Sequence, residues 1–188
     1  MLAVAVLEPR VTEEPAAEHA NTDTPAALAR HYGPLVFRAA FRVLGDAGLA
    51  EDVQQDVFLR LLEQPPRDVV SWPAFLTAAA VRRAIDRQRQ QRRWWRLLPL
   101  WRAQAPESAV SSEEVGVADE RARRLRTAMK DLSPREAQCF SLRYLEGMAV
   151  DDIARVLAIT SNTTHVTLHR ARRRLEAQLG DDVTEVFP

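Results

Sequence analysis

Two short apolar-periodic segments with a tight break between them, at residues 148–175, constrain this chain more than any other feature. In the first, Val150, Ile153, Ala154, Val156 and Leu157 recur at helical spacing. A turn is expected at Ala158–Thr160. In the second, Leu168, Ala171 and Leu175 again fall three or four residues apart, which turns them inward together. The outward face of that second segment carries Asn162, His165, Val166, His169, Arg170 and Arg173. Two short helices joined by a tight turn, the second basic and rich in donors, have the shape that enters a DNA major groove. The chain therefore reads as one that binds nucleic acid.

Bulk charge does not make that case, because 26 basic and 26 acidic residues cancel to a formal net charge of zero. The distribution does. Between Arg82 and Arg96 seven arginines meet a single acid, Asp86. Acids gather elsewhere, near Glu8–Glu18, Glu51–Asp56, Glu107–Glu120 and at the C-terminal end. A basic patch on a neutral protein still neutralises phosphates locally. The 188 residues suffice for one medium domain or two small ones, and a hydrophobic share of 46% supports folded cores. The single cysteine, Cys139, excludes an intrachain disulfide and a cysteine-based zinc cluster. Met1–Leu7 is apolar but short for a signal peptide and has no basic leader. No run reaches the roughly 18 apolar residues of a membrane helix. A cytoplasmic protein is the expectation.

Helical periodicity recurs along the chain and strand signals are weak, so the expected fold class is all-α, with two small helical domains on a flexible linker. Residues 1–24 read as a disordered tail. The first domain, 25–95, holds an apolar rhythm from Pro25 to Leu44, in which Gly33-Pro34 would kink or restart the helix. A second helix over about Leu49–Glu63 turns Val53, Val57, Phe58, Leu61 and Leu62 inward and Asp52, Gln55, Asp56, Leu59 and Glu63 outward. A third starts after Trp72-Pro73, with Ser71 as its cap, and ends in the arginine run. Residues 96–118 form the linker, with an apolar patch at Leu97, Leu98, Leu100 and Trp101. The second domain, 119–180, has helices near 119–131, 134–145, 150–157 and 161–178, and 181–188 is an acidic tail. Ser133-Pro134-Arg135-Glu136 and Thr160 supply helix starts.

Other chemistries fit poorly. Adjacent Glu51 and Asp52 diverge on a helix and make a poor acid–base pair, and there is no phosphate loop or nucleophile motif. His165 and His169, spaced i, i+4, have no third ligand beside them, so no metal or other cofactor is expected. Leu59 is apolar in a polar stripe, either an ordinary exposed leucine or a contact residue. Trp94-Trp95 and the apolar patch after them could pack on the first domain, meet a regulator or touch a membrane surface.

Five blocks, in order, resemble the extracytoplasmic-function sigma factors, small RNA polymerase initiation subunits of the sigma-70 superfamily. They are Tyr32-Gly33-Pro34-Leu35-Val36; Ala50 through Leu59; Ala74-Phe75-Leu76 through Ala84-Ile85-Asp86 and the arginines beyond; Leu132 through Arg135 with Arg143 through Met148; and Leu168 through Arg173. The resemblance covers most of residues 28–178. It implies a region 2 that binds core RNA polymerase and the minus-ten element, a region 4 that docks on the minus-thirty-five duplex, and no catalysis.

Carried onto this chain, the resemblance places the core-polymerase surface at Asp52, Gln55, Asp56 and Leu59. It places minus-ten contacts at Trp72, Arg82, Arg83, Arg87, Arg89, Arg92 and Arg93. Trp72 has two readings, a stacking platform for a flipped base or a packing residue beside Pro73. Asn162, Thr163, His165, Val166, His169, Arg170 and Arg173 become the minus-thirty-five face. Partners implied are core polymerase, promoter DNA and an inhibitory anti-sigma factor, with no small-molecule substrate. Arg82, His165 and Thr167 depart from common family choices, and Thr164 puts a hydroxyl in a usually apolar slot, where it needs a hydrogen-bond partner, a backbone carbonyl being one candidate. A stand-alone helix-turn-helix regulator is the second reading; it explains residues 119–178 but neither the Asp52/Gln55 helix nor the arginine run.

Overall fold

The computed structural model describes residues 24–97 and 117–180, with side chains described for 24–94 and 120–180. The expected tails, most of the linker and the patch formed with Trp95 therefore lie outside the described residues or side chains.

The N-terminal unit is three helices. α1 spans Pro25–Leu44, α2 Ala47–Glu63 and α3 Trp72–Leu97. Thr24 caps α1, its side chain accepting from the amide of Ala27. Pro34 lies inside α1 without restarting it. Both Pro34 and Arg30, whose carbonyl the ring leaves without its helical donor, are exposed residues. Gly45 ends α1 in the left-handed conformation, φ 69°, and its N–H donates to the Phe41 carbonyl. Asp46 then caps α2 through the amide of Leu49, at 2.8 Å, and starts that helix two residues before the sequence pattern does. The amide of Ala74 donates to Ser71 Oγ at 3.5 Å, the expected start of α3.

The three helices bury Leu28, Val36, Val43, Val57, Leu76 and Val81 among them. Each such side chain removed from water contributes about 1.5–3 kcal/mol. Leu62 departs from expectation: it is 61% exposed. At 100° per residue it sits between Phe58 and Gln55, on the edge of the inward arc.

The C-terminal unit comprises α4 (Val117–Met129), α5 (Pro134–Phe140), a π-helical turn (Ser141–Leu145), α6 (Val150–Val156) and α7 (Ser161–Leu179). The capping box at α5 is complete, with Glu136 N donating to Ser133 Oγ and Ser133 N to the Glu136 carboxylate. One helix was expected over 134–145. Instead, α5 widens after Phe140 into i→i+5 bonding, with Glu146 N donating to Ser141 O at 3.0 Å. All described regular elements are helices, and the two units pack on one another through α1 and α3 against α5, α6 and the π turn. No described helix is long and apolar enough to cross a membrane.

Candidate nucleic-acid interface

The most complete surface is built on α6 and α7. Between them Ala158 takes a left-handed conformation, φ 51°, and Ile159 N reaches back to the Ala154 carbonyl at 2.9 Å. A β-carbon makes that conformation uncommon, and it is what folds the chain sharply enough to bring α7 across α6. Thr160 caps α7, its Oγ1 accepting from Thr163 N at 3.1 Å. Ser161 Oγ donates to Asp151 Oδ1 at 2.6 Å and ties the start of α7 to the start of α6.

With the start held, the 3.6-residue period assigns the faces. Thr164, Leu168, Ala171 and Leu175 are buried. The Thr164 hydroxyl donates to the Thr160 carbonyl at 3.1 Å, which gives the buried hydroxyl a partner. Asn162, Thr163, His165, Val166, His169, Arg170 and Arg173 are all exposed on the other side. Thr163 shares its hydroxyl with Thr160 at 2.8 Å, so it also serves the cap.

The arginines of α7 divide by role. Arg172 pairs with Glu176 at 2.7 Å, and Arg174 with the buried carboxylate of Glu136 at 2.7 Å. These two hold α7 to its own turn and to α5. Arg170 and Arg173 are exposed and have no ion pair among the described residues. Five guanidinium donors in a fixed fork suit paired acceptors on a base edge or a phosphate. The two histidines stand outside any cluster, and no group of three His, Cys, Asp or Glu among the described residues is arranged to hold a metal.

The arginine run on α3 divides in the same way. Arg83 Nε lies 3.3 Å from Asp56 Oδ2, and Arg87 Nη2 lies 3.1 Å from Asp52 Oδ2. Asp56 also meets Arg60 Nε at 3.4 Å. Arg92 donates to the carbonyl of Lys130 and pairs with Asp131 at 3.0 Å. Arg82, Arg89 and Arg93 are exposed and unpaired among the described residues. Spaced i, i+7, i+11, they fall within about 40° of one another on the helix and span about 16 Å along it. That stripe sets three guanidinium groups without an acid partner among the described residues along one side of α3, with exposed Asp86 beside it.

The outer face of α2 shows Asp52 and Gln55 exposed, with Leu59 57% exposed. Leu62 joins Leu59 one turn on, so the face carries two apolar side chains where sequence reasoning expected one. Its place beside Gln55 on the helical wheel was the available signal. Asp52 and Asp56, read as outward contact residues, also neutralise two of the arginines. The loop between α2 and α3 closes a cavity of about 310 Å³ lined by Pro25, Leu61, Pro66, Asp68, Val69 and Trp72. The Trp72 ring meets Phe75 edge to face at 6.0 Å, so it packs on the domain and also walls that cavity.

Comparison with known proteins follows the same division. Residues 28–94 match the family model for Sigma-70 region 2, and residues 122–175 match that for Sigma-70, region 4. A probable ECF RNA polymerase sigma factor, SigI, of Mycobacterium tuberculosis is 29% identical over 163 residues, covering 81% of this chain and 54% of the relative. The ECF RNA polymerase sigma factor BldN of Streptomyces coelicolor is 26% identical over 172 residues, covering 88% of this chain and 64% of the relative. The chain thus spans between half and two thirds of the length of those two relatives. Among solved structures, the sigma factor RpoE of Bartonella quintana, crystallised with the anti-sigma factor NepR, shares the fold. Its TM-score is 0.54 at 19% identity, covering 85% of this chain and 96% of that one.

Proposed function

We propose that this chain, which belongs to the sigma-70 family and to its extracytoplasmic-function type, binds core RNA polymerase and directs it to a specific set of promoters. In this reading α2 seats on the core enzyme. Asp52, Gln55 and Asp56 supply the polar contacts, and Leu59 with Leu62 supplies apolar area. The Arg82, Arg89 and Arg93 stripe takes promoter phosphates near the melted minus-ten element. Arg83, Arg87 and Arg92 add to it when their internal partners release them. The cavity beside Trp72 receives a base extruded from the non-template strand, recovering part of the few kcal/mol that extrusion costs. α7 enters the major groove of the minus-thirty-five duplex. There Arg170 and His169 face base edges, and Asn162, Thr163 and Arg173 face the backbone.

The chain performs no catalysis in this scheme and needs no cofactor. It acts in the cytoplasm, where polymerase and chromosome meet. An anti-sigma factor belongs to the same reading, in line with the partner named for the Bartonella quintana structure.

The observation that carries the proposal is the apolar pair Leu59 and Leu62 standing exposed beside Asp52 and Gln55. A stand-alone helix-turn-helix regulator has no use for that face. Run-off transcription with core enzyme, the protein and a genomic fragment library tests it. New start sites, lost with Leu59→Asp together with capture of core enzyme, are the expected result. Start sites indifferent to the protein on every template would refute it.

A further inference from the structure

We propose that the cleft between the second half of α3 and the turn joining α4 to α5 binds a small anion carrying two or three phosphates, and that Lys130 helps to hold it there. The cleft has a volume of about 470 Å³, inside the range of about 300–1,000 Å³ in which small ligands are held. Arg89, Arg92 and Arg93 of α3 form one wall, and Lys130 and Arg174 of the C-terminal unit stand on the other. Five cationic side chains thus share the lining with one carboxylate, that of Asp131.

Two of the five have internal partners. Arg92 pairs with Asp131 at 3.0 Å and donates to the Lys130 carbonyl. Arg174 pairs with Glu136 at 2.7 Å. Those contacts fix where the two guanidinium groups stand, and each leaves donors over, since a guanidinium carries five N–H groups. Arg89, Arg93 and Lys130 are exposed and have no ion pair among the described residues. Like charges gathered at one place repel, and a multivalent anion set among them removes the repulsion.

The residue types narrow the ligand further. Lys130 is the chain's single lysine; every other one of its 26 Lys and Arg residues is arginine. An ammonium is a compact charge on a flexible stem and can follow successive phosphates, whereas the arginine fork grips paired oxygens of one group. A lone carboxylate or orthophosphate would be met by one fork. Three unpaired cations on two walls match an anion with several charges along its length. The stripe of Arg82, Arg89 and Arg93 gives a duplex a straight track along α3, but the cations of the cleft stand on both sides and suit a ligand that enters between them.

Occupancy would draw Arg89 and Arg93 away from promoter phosphates, so the anion and promoter DNA compete for α3. That consequence rests on the DNA role given to α3 above; the site itself does not.

The test is calorimetric titration of the full chain with sodium tripolyphosphate at one fixed ionic strength, without polymerase or DNA. One anion per chain is expected, bound at least about tenfold more tightly than orthophosphate. Lys130→Ala should weaken it about tenfold, the worth of one charge-assisted contact, and Lys130→Arg should keep most of the affinity. Arg38→Ala removes an exposed arginine of α1 outside the cleft and should leave the affinity within about twofold. Because there is one lysine, its acetylation by an N-hydroxysuccinimide ester, read by peptide mass, reports on the cleft in the wild-type protein. Tripolyphosphate should slow that reaction, and orthophosphate at equal ionic strength should not. ATP and GTP titrated alongside separate the sources of the anion. Binding tighter than that of tripolyphosphate assigns a nucleotide, and binding no tighter assigns a bare phosphate chain. Tripolyphosphate held no better than orthophosphate overturns the site, as does an affinity that Arg38→Ala lowers as much as Lys130→Ala. Protection of Lys130 by a short promoter duplex with none by tripolyphosphate also overturns it, making the cleft part of the DNA surface. Anion binding absent with start-site selection intact refutes this site alone, and the reverse refutes the promoter function alone.

Discussion

Replacing Glu136 with alanine should loosen α7 from the helix that carries it. The Glu136 side chain is buried, 7% exposed, where α5 begins against α7. Its Oε2 accepts from Ser133 N at 2.9 Å and from Arg174 Nη1 at 2.7 Å. A hydrogen bond to a charged acceptor contributes about 1.5–3 kcal/mol when its loss strands a partly buried donor, as Ser133 N would be stranded. Arg174 is 56% exposed, so water replaces most of what it loses and the ion pair adds under about 1 kcal/mol. The Glu136 amide keeps its bond to Ser133 Oγ in the variant, so that half of the capping box survives. Glu136→Ala is thus expected to destabilise the C-terminal unit by about 2–3 kcal/mol. Glu136→Gln, which retains an acceptor for Ser133 N, is expected to cost about 1 kcal/mol. Urea unfolding, with hydrogen exchange at the amides of α5 and α7, measures both, and affinity for the minus-thirty-five duplex should fall in the same order. A Glu136→Ala variant within about 0.5 kcal/mol of wild type, the range of ordinary surface changes, would refute the reasoning. So would a Gln variant as damaged as the Ala variant, because the lost acceptor would then not be the cause.

Asp52→Asn combined with Asp56→Asn should free Arg87 and Arg83 for phosphates and weaken capture of core polymerase at once. Two added phosphate contacts would steepen the slope of log affinity against log salt by about 1.8 on duplex DNA, and an unchanged slope contradicts the pairing. Arg170→Ala should cost about 1–3 kcal/mol on the cognate minus-thirty-five duplex if its fork bridges a guanine; the same loss on a scrambled duplex would rule out base reading. Burial pushes the Cys139 thiol up to about 11, with Arg135 opposing, so the reactive thiolate stays scarce until the pH nears that value. Iodoacetamide should therefore alkylate the native protein at pH 8 far more slowly than the urea-unfolded chain, and equal rates would show the site to be open.

What could be read in the sequence was local. The caps at Ser71, Ser133 and Thr160 act across three residues, so residue type and spacing announce them. The α7 face follows from a 3.6-residue period over a helix long enough to show it. Leu62 was misread because an inward arc has soft edges, and whether its rim is covered depends on which helix lies across it. The π turn after Phe140 left no periodic signature, since one widened turn barely shifts the pattern.

By itself, the sequence determined that this protein is helical, which faces of α2, α3 and α7 are polar, and that the second half ends in a helix-turn-helix. Those properties depend on neighbours within about one or two helical turns. Tertiary structure alone decided which arginines of α3 and α7 meet a carboxylate from another element. Arg83 and Arg87 are paired with acids on α2, Arg174 with Glu136, and Arg92 and Arg42 with acids of the opposite unit. A guanidinium on a helix presents the same residue type whether or not a carboxylate waits across the packed interface. Whether it is paired is settled only when helices distant in sequence are brought within about 3 Å of it, and hydrophobic burial, which is blind to charge, sets that arrangement.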